Sequence, residues 1–467
     1  MSPIRFKRGV LSGLRRRANA ARAAAAAAAA VAIWAPMTAQ SQILRSPVPL
    51  PNLPTVSGPL SMDASVRDTL ATLNPRRLAD LRVVRLRTLV RAHADVLESD
   101  PEGAPIVRRE VLAWSPSVAG LAQAAALGFA TGRRTPLAGG DELVVLVAPA
   151  ALGTGSALMK IRRADPTGVY DFNHVFVQSG EIASREAIES APHARVTGDR
   201  LSAQTIVSRA GLIDGGVDAG HYTFAGATLH AWGCPNGPIA TAHGTAVASL
   251  LVGRSADFRG AVPDAELFAA DVFCGAPTGG SADAIVGALG WLLSEHVPVI
   301  NVSLVGPPNG VLERVFRAVL ARGSIVVAAV GNDGPAAPPS YPASYPGVVA
   351  VTAIDRSRHL LLEAGRALHV DLAAPGADLL AAGASDALIP VRGTSFASPL
   401  VAGLLARELR APDVSAARAA LEHLEAQAAP PTEQGAAARY GKGIVGESVA
   451  VRVPVTANGR NPAPRSF

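Results

Sequence analysis

The sequence is short of cysteine, of charge and of long apolar stretches. Only two cysteines, Cys234 and Cys274, occur in 467 residues, so any disulfide is a single one. Charged residues make up 17% against 49% hydrophobic ones, which excludes a largely disordered chain and leaves ample material for a core. Beyond the N-terminal region no segment has 18 uninterrupted apolar residues, so no membrane-spanning helix is expected there. Acidic residues are absent before residue 41, whereas Arg5, Lys7, Arg8, Arg15, Arg16, Arg17 and Arg22 all precede residue 23. Set aside, these seven account for the whole of the net charge of +6 and leave the remainder near neutral. The pI of about 9.8 therefore reports a basic leader, and no nucleic-acid partner is expected.

The basic leader runs into an alanine-rich apolar stretch at 23–36 and then into small and polar residues at 37–41. That is the layout of a secretory signal with a cleavage site near Ala39. No clean Ala-x-Ala motif is present, so an uncleaved anchor stays open; otherwise no membrane contact is expected. Export, to the periplasm or the medium, makes a Cys234–Cys274 disulfide the favoured reading over two unpaired thiols.

The expected organisation is a signal at 1–40, a proline-rich linker at 41–75, a small domain at 76–180, a connector at 181–203, a large domain at 204–453 and a disordered tail at 454–467. Within the small domain, 74–97 has apolar residues at helical spacing between arginines, which read as a solvated face. Strands at 106–113, near 134–137, at 142–148 and at 169–178, with helices at 117–127 and 155–163, give β-α-β-β-α-β, a ferredoxin-like α+β order. From 205 the chain alternates β-branched strands (206–213, 265–273, 297–304, 324–330, 348–354) with helices (241–252, 281–294, 311–322 and the one that follows Gly393). The fold class is α/β, a parallel twisted sheet covered by helices.

In such sheets sites form beyond the carboxyl ends of the strands. Asp214 follows the apolar Gly211-Leu212-Ile213, and Asn332 follows 325–331. His243 opens a helix, and Ser395 stands among small residues in Gly393-Thr394-Ser395-Phe396-Ala397-Ser398-Pro399, ahead of a helix apolar all round. Alone, Ser395 reads equally as a helix cap. Together the four supply a nucleophile, a base, an orienter for that base and an oxyanion donor. Pro399 lacks the N–H that would bond back to the Ser395 carbonyl. His221 and His230 read as surface or loop residues and Asp218 as a turn residue. Asp333 and Asp371 lie in no loop with calcium-ligand spacing.

The segments Leu212-Ile213-Asp214-Gly215-Gly216, His243-Gly244-Thr245, Ala329-Val330-Gly331-Asn332 and 393–399 resemble the signature blocks of the subtilisin-like serine proteases, in that family's order. The resemblance covers about 204–450, including Asn301-Val302-Ser303-Leu304, Ala373-Ala374-Pro375-Gly376 and Tyr440-Gly441-Lys442-Gly443. Gly215 and Phe396 depart from the residues usual there without removing a catalytic atom. The resemblance implies a serine endopeptidase acting on protein or peptide substrates, with Ser395 as nucleophile, His243 as base, Asp214 as its orienter and Asn332 in the oxyanion hole. It implies substrate walls at Ser303, Leu304, Val305 and Gly306 and at Ala328, Ala329, Val330 and Gly331, whose small uncharged residues suggest an apolar side chain in the primary pocket. It also implies that the small domain is a prodomain, an intramolecular inhibitor cut off within 179–200, a permanent accessory domain being the alternative. No cofactor is identified; calcium is common in the family. A catalytically silent binding protein on the same fold is the competing class, and its mark, loss of a triad atom, is absent.

Overall fold

A computed structural model of the chain describes residues 75–137, 139–178, 181–182, 208–383, 386–431 and 437–453. The expected signal, the linker before Pro75, nearly all of the connector and the tail lie outside the described residues.

Helix α1 (Pro75–Ala92) comes first, followed by the short strand β1 (Leu97–Ser99). The small domain is then β2 (Pro105–Trp114), α2 (Val118–Ala126), β3 (Ala130–Pro136), β4 (Glu142–Val147), α3 (Thr154–Ala164) and β5 (Val169–Gln178). Its strands pair antiparallel in the order β5-β2-β4-β3, with β1 on the free end of β2. This is the ferredoxin-like arrangement. Helix α2 starts where Ser117 accepts the Gly120 N–H through its hydroxyl at 3.0 Å, an ordinary N-cap.

Strand β4 is apolar from Leu143 to Val147, and the reason is visible in its two faces. Val144 and Leu146 point into the small domain's own core, with Ile106, Val111, Leu158 and Ile161. Leu143 and Val145, with Leu112 and Phe176, point the other way and pack into the large domain. A strand buried on both faces loses the polar alternation of a half-exposed one.

The large domain contains β6 (Glu181–Ile182), β7 (Arg209–Asp214), β8 (Leu229–Trp232), α4 (Ala242–Val252), β9 (Glu266–Asp271), β10 (Gly280–Ser281), α5 (Ala282–Ser294), β11 (Val299–Val302), β12 (Leu304–Val305) and α6 (Gly310–Ala321). It continues with β13 (Ile325–Ala329), β14 (Val349–Ile354), β15 (Leu372–Pro375), β16 (Leu379–Ala382), β17 (Leu388–Arg392), α7 (Thr394–Glu408), α8 (Val414–Ala426) and α9 (Ala437–Tyr440). Seven of these strands form one parallel sheet in the order β15-β14-β13-β11-β7-β9-β8.

One face of that sheet is covered by α4 and α7, which share a core with Leu212, Val327 and Val351. The other is covered by α5 and α6, packed on Ile213, Ile300 and Val326. Both α4 and α7 lie in the interior, which is why neither shows a polar stripe. The chain enters in mid-sheet at β7, runs to one side through β9 and returns across to β11. Sequence order therefore reverses between β7 and β11, the place where open α/β sheets hold their ligands.

Among the described residues no helix is long and apolar enough to cross a membrane. Cys234 and Cys274 are joined by a disulfide, with Cα atoms 5.4 Å apart.

Candidate active site

Asp214 is the last residue of β7, fully buried at the reversal of strand order. Its carboxylate receives the His243 ring, with Nδ1 2.9 Å from Oδ1 and 3.0 Å from Oδ2. The Gly215 N–H and the Gln178 side-chain amide also donate to Oδ1, at 2.7 and 3.1 Å. His243 enters from the first turn of α4, whose position is set by local chemistry. Thr241 caps the helix by accepting the Gly244 N–H at 3.0 Å, and its own N–H donates to the Gly216 carbonyl at 2.8 Å. A Cβ on Gly244 would lie 2.3 Å from the Gly215 carbonyl oxygen, so only glycine lets α4 approach the aspartate loop this closely.

Ser395 lies in the first turn of α7, after Gly393, whose φ of 137° is a backbone state that residues with a side chain rarely adopt. The carbonyl that Pro399 leaves without its helical partner is not orphaned. The Ser303 hydroxyl donates to the Ser395 carbonyl at 3.2 Å, and Asn301 Nδ2 donates to that same hydroxyl at 2.9 Å. Ser303 thus turns its side chain inward to support α7, while the strand just after it faces the cleft.

Asn332 follows β13, and its orientation is dictated by a donor. The Thr394 N–H gives to Asn332 Oδ1 at 3.0 Å, which turns Nδ2 away from it. That Nδ2 is buried and has no hydrogen-bond partner among the described residues. A buried donor left unpaired costs about 1–3 kcal/mol, and sites of function are where such a group is found. Thr394 Oγ1 also accepts the Gly331 N–H at 3.1 Å, so the Asn332 loop and the start of α7 form one unit. The N-terminus of α7 adds the positive end of a helix dipole.

An acceptor carboxylate on Nδ1 holds an imidazole in the tautomer that can take a hydroxyl proton, and a free amide beside a helix start can donate to developing negative charge. The cleft wall is occupied by the chain itself. Strand β12 pairs antiparallel with the end of β5, Leu304 opposite Gln178 and Val305 opposite Val177. Strand β10 pairs with the same strand one step earlier, Gly280 opposite Phe176. Across the site β6 pairs with β17, Glu181 opposite Arg392.

The model for the subtilase family matches residues 209–443, half of the chain. The chain belongs to the subtilase family. Among its relatives, Subtilisin Savinase of Lederbergia lenta is 34% identical over 47% of this chain and 81% of its own length. The Alkaline protease of Alkalihalobacillus alcalophilus is 34% identical over 47% of this chain, but only 57% of its own length is matched. Fervidolysin of Fervidobacterium pennivorans, described as a keratinolytic enzyme related to subtilisin, matches in fold with a TM-score of 0.59 at 18% identity, over 75% of this chain and 62% of its own. The relatives it matches include proteins named as proteases and subtilisins.

Against this subtilase frame, several neighbouring residues fall differently from their sequence reading. His221 is buried, caps a short turn and bonds to Thr223, so its loop role stands but a surface position does not. His230 is half-exposed on the edge strand β8 beside Glu266. Asp218 accepts the Gly220 N–H, as a turn residue does. Ala328, Ala329 and Val330 are all fully buried, and of the four only Val330 and Gly331 lie past the last residue of β13. The arginines of α1 do not all face solvent, because Arg82 is largely covered against Asp333.

Among the described residues one group of ligand-type side chains is close enough to share an ion: Cys234, Asp271 and Cys274. Both sulfurs are spent in the disulfide, and Asp271 already accepts the Ile239, Phe273 and Cys274 N–H groups. Calcium takes six to eight oxygen ligands, and this group does not fit it.

Proposed function

We propose that the chain is an exported serine endopeptidase made as a self-processing precursor. Ser395 Oγ attacks the peptide carbonyl carbon while its proton passes to His243 Nε2. Asp214 holds the ring and stabilises the imidazolium. Asn332 Nδ2 and the Ser395 N–H bind the oxyanion. The C–N bond breaks as His243 returns the proton to the leaving amine, and water then releases the acyl group by the same steps in reverse order. No metal takes part in this scheme.

The observation that carries the reading is the pair of strand pairings on either side of Ser395. A peptide held as an added strand is how main-chain hydrogen bonds give affinity without sequence selection. Gln178 ends one such pairing and Glu181 begins the other. The cut is therefore proposed between these two residues, at the Ser179–Gly180 bond. The small domain is then the inhibitor of its own catalytic domain, and its Gln178 amide sits on Asp214 until cleavage.

N-terminal sequencing of the exported protein, beside its Ser395→Ala counterpart, tests this. The expected mature terminus is Gly180, or a residue shortly after it if trimming follows, and the Ser395→Ala chain keeps its small domain attached. A wild-type terminus still near residue 42 refutes the processing scheme. Cleavage that persists at the same bond in purified Ser395→Ala protein refutes the assigned nucleophile.

A further inference from the structure

Helix α1 contributes to none of the hydrophobic cores and carries more charge than its own packing uses. Its sequence holds Arg76, Arg77, Arg82, Arg85, Arg87 and Arg91 against a single acidic residue, Asp80. In the sequence these arginines read as one solvated face; the structure separates them into two sets. The inner side of α1 packs toward β1 and β2 with Leu78, Leu86, Leu89 and Val90 half-buried, and on that side Arg82 pairs with Asp333 at 2.9 Å. On the outer side Arg77, Arg87 and Arg91 are exposed and make no ion pair among the described residues. At 3.6 residues per turn these three fall within about 80° of one another around the axis. Val84 lies in their midst and Leu81 at their border, 59% and 48% exposed.

This arrangement works against the helix that carries it. Arg76 and Arg77 stand in the first turn, where no acidic residue balances the positive end of the helix dipole. Arg87 and Arg91, four residues apart, repel each other. Water relieves neither cost, whereas a partner of negative charge relieves both. Leu81 and Val84 then narrow the class of partner. A polyanion in solution rewards the arginines alone, but a bilayer interface also takes up apolar side chains between its headgroups. Helix α1 is also the first described element after the apolar stretch at 23–36, so on the export reading the membrane just crossed is the first surface it meets.

We propose that the outer face of α1 is a docking surface for an anionic phospholipid bilayer, and that it holds the precursor against the membrane it has crossed. Arg77, Arg87 and Arg91 take headgroup phosphates, whose oxygens match the fork of a guanidinium. Leu81 and Val84 enter the boundary between headgroups and acyl chains. The docking rests on the export reading, and its end rests on the processing reading. Because α1 precedes the proposed cut, the catalytic domain released by that cut leaves the docking surface behind.

Vesicle flotation of the exported Ser395→Ala chain tests it. One set of vesicles is equimolar phosphatidylcholine and phosphatidylglycerol, the other phosphatidylcholine alone. The readout is the ratio of the two affinities, because a retained 23–36 stretch adds to both alike. Each arginine at an anionic surface adds about fivefold, so the ratio is expected to reach about 10²-fold at low salt and to collapse at high salt. Replacing Arg77, Arg87 and Arg91 together by glutamine should remove about that whole factor, and replacing them by lysine should keep most of it. Leu81→Ser with Val84→Ser should weaken binding to the anionic vesicles several-fold and leave binding to heparin unchanged. Matching circular dichroism shows that each variant is folded. A ratio near one in the parent chain, or one that the glutamine substitutions leave unchanged, overturns the docking. Heparin held more tightly than the anionic vesicles, with no effect of the two serine substitutions on either, overturns it in favour of a soluble polyanion. The chain with Ser395 intact should float whole and then shed its catalytic domain into solution. A chain that stays uncut sinks the processing reading instead, and the Ser395→Ala ratios then decide the docking alone.

Discussion

Replacing Phe176 by alanine should loosen the small domain from the cleft without unfolding the small domain itself. The ring is fully buried, and the core cluster it joins, with Val302, Leu304 and Val286, is that of the large domain. The small domain's own core, built on Ile106, Val111, Val144, Leu146, Leu158 and Ile161, does not include it. The fit is tight enough that a Cβ on Gly306 would lie 2.5 Å from the ring. Truncating a buried phenylalanine costs about 3–5 kcal/mol. Because the loss falls on docking, the lower figure divided by about 1.36 kcal/mol per decade gives roughly a 150-fold weaker hold. Amide exchange in the Ser395→Ala chain reads this directly, since local opening sets the rate. The N–H groups of Val175, Phe176 (here alanine), Val177 and Gln178, paired with β10 and β12, are expected to exchange about 10²-fold faster, by that same arithmetic. Those at the β2–β4 pairing should change far less. Equal acceleration in both places, or none at β5, would refute the assignment of Phe176 to the docking surface.

Asn332→Ala should lower kcat by about 10²- to 10³-fold with KM little changed, the range found for an oxyanion-hole asparagine in a subtilisin; a fall confined to KM contradicts the role. The Cys234→Ser/Cys274→Ser chain should lose about 2–4 kcal/mol, since the bond closes a loop of sequence separation 40. Denaturant unfolding with matched m-values measures that loss, and an unshifted midpoint shows that the Asp271 hydrogen bonds hold the two segments on their own.

The alternation of elements was legible because each carries a local signal. The expected helices at 117–127 and 241–252 begin at Ser117 and Thr241, and both residues cap there. Strand β5 falls on 169–178 as its apolar pattern requires. Strands β8, β15, β16 and β17 escaped. Each is four or five residues long, β8 sits at an edge, and β16 with β17 makes a small separate sheet, so periodicity had too few residues to act on. Helix α8 (Val414–Ala426) was missed too, although Asp413 is a plain N-cap. The positions of Asp214, His243, Asn332 and Ser395 could be read because each stands at the end of an element. Gln178 on Asp214 and Arg82 on Asp333 could not. They arise from docking across 36 residues in one case and some 250 in the other, and nothing in the local pattern of either segment records its partner.

If the small domain is released as proposed, the double-faced β4 would give that release a direction. While the small domain stays docked, Leu112, Leu143, Val145 and Phe176 are covered by α5 and α6. A detached copy would carry all four into water on one side of a four-stranded sheet, a contiguous apolar surface of the kind that aggregates or invites proteolysis. In the proposed processing, rebinding would compete with loss of the free domain, so activation would behave as a ratchet, timed by the first separation and set by how well one sheet face fits two helices.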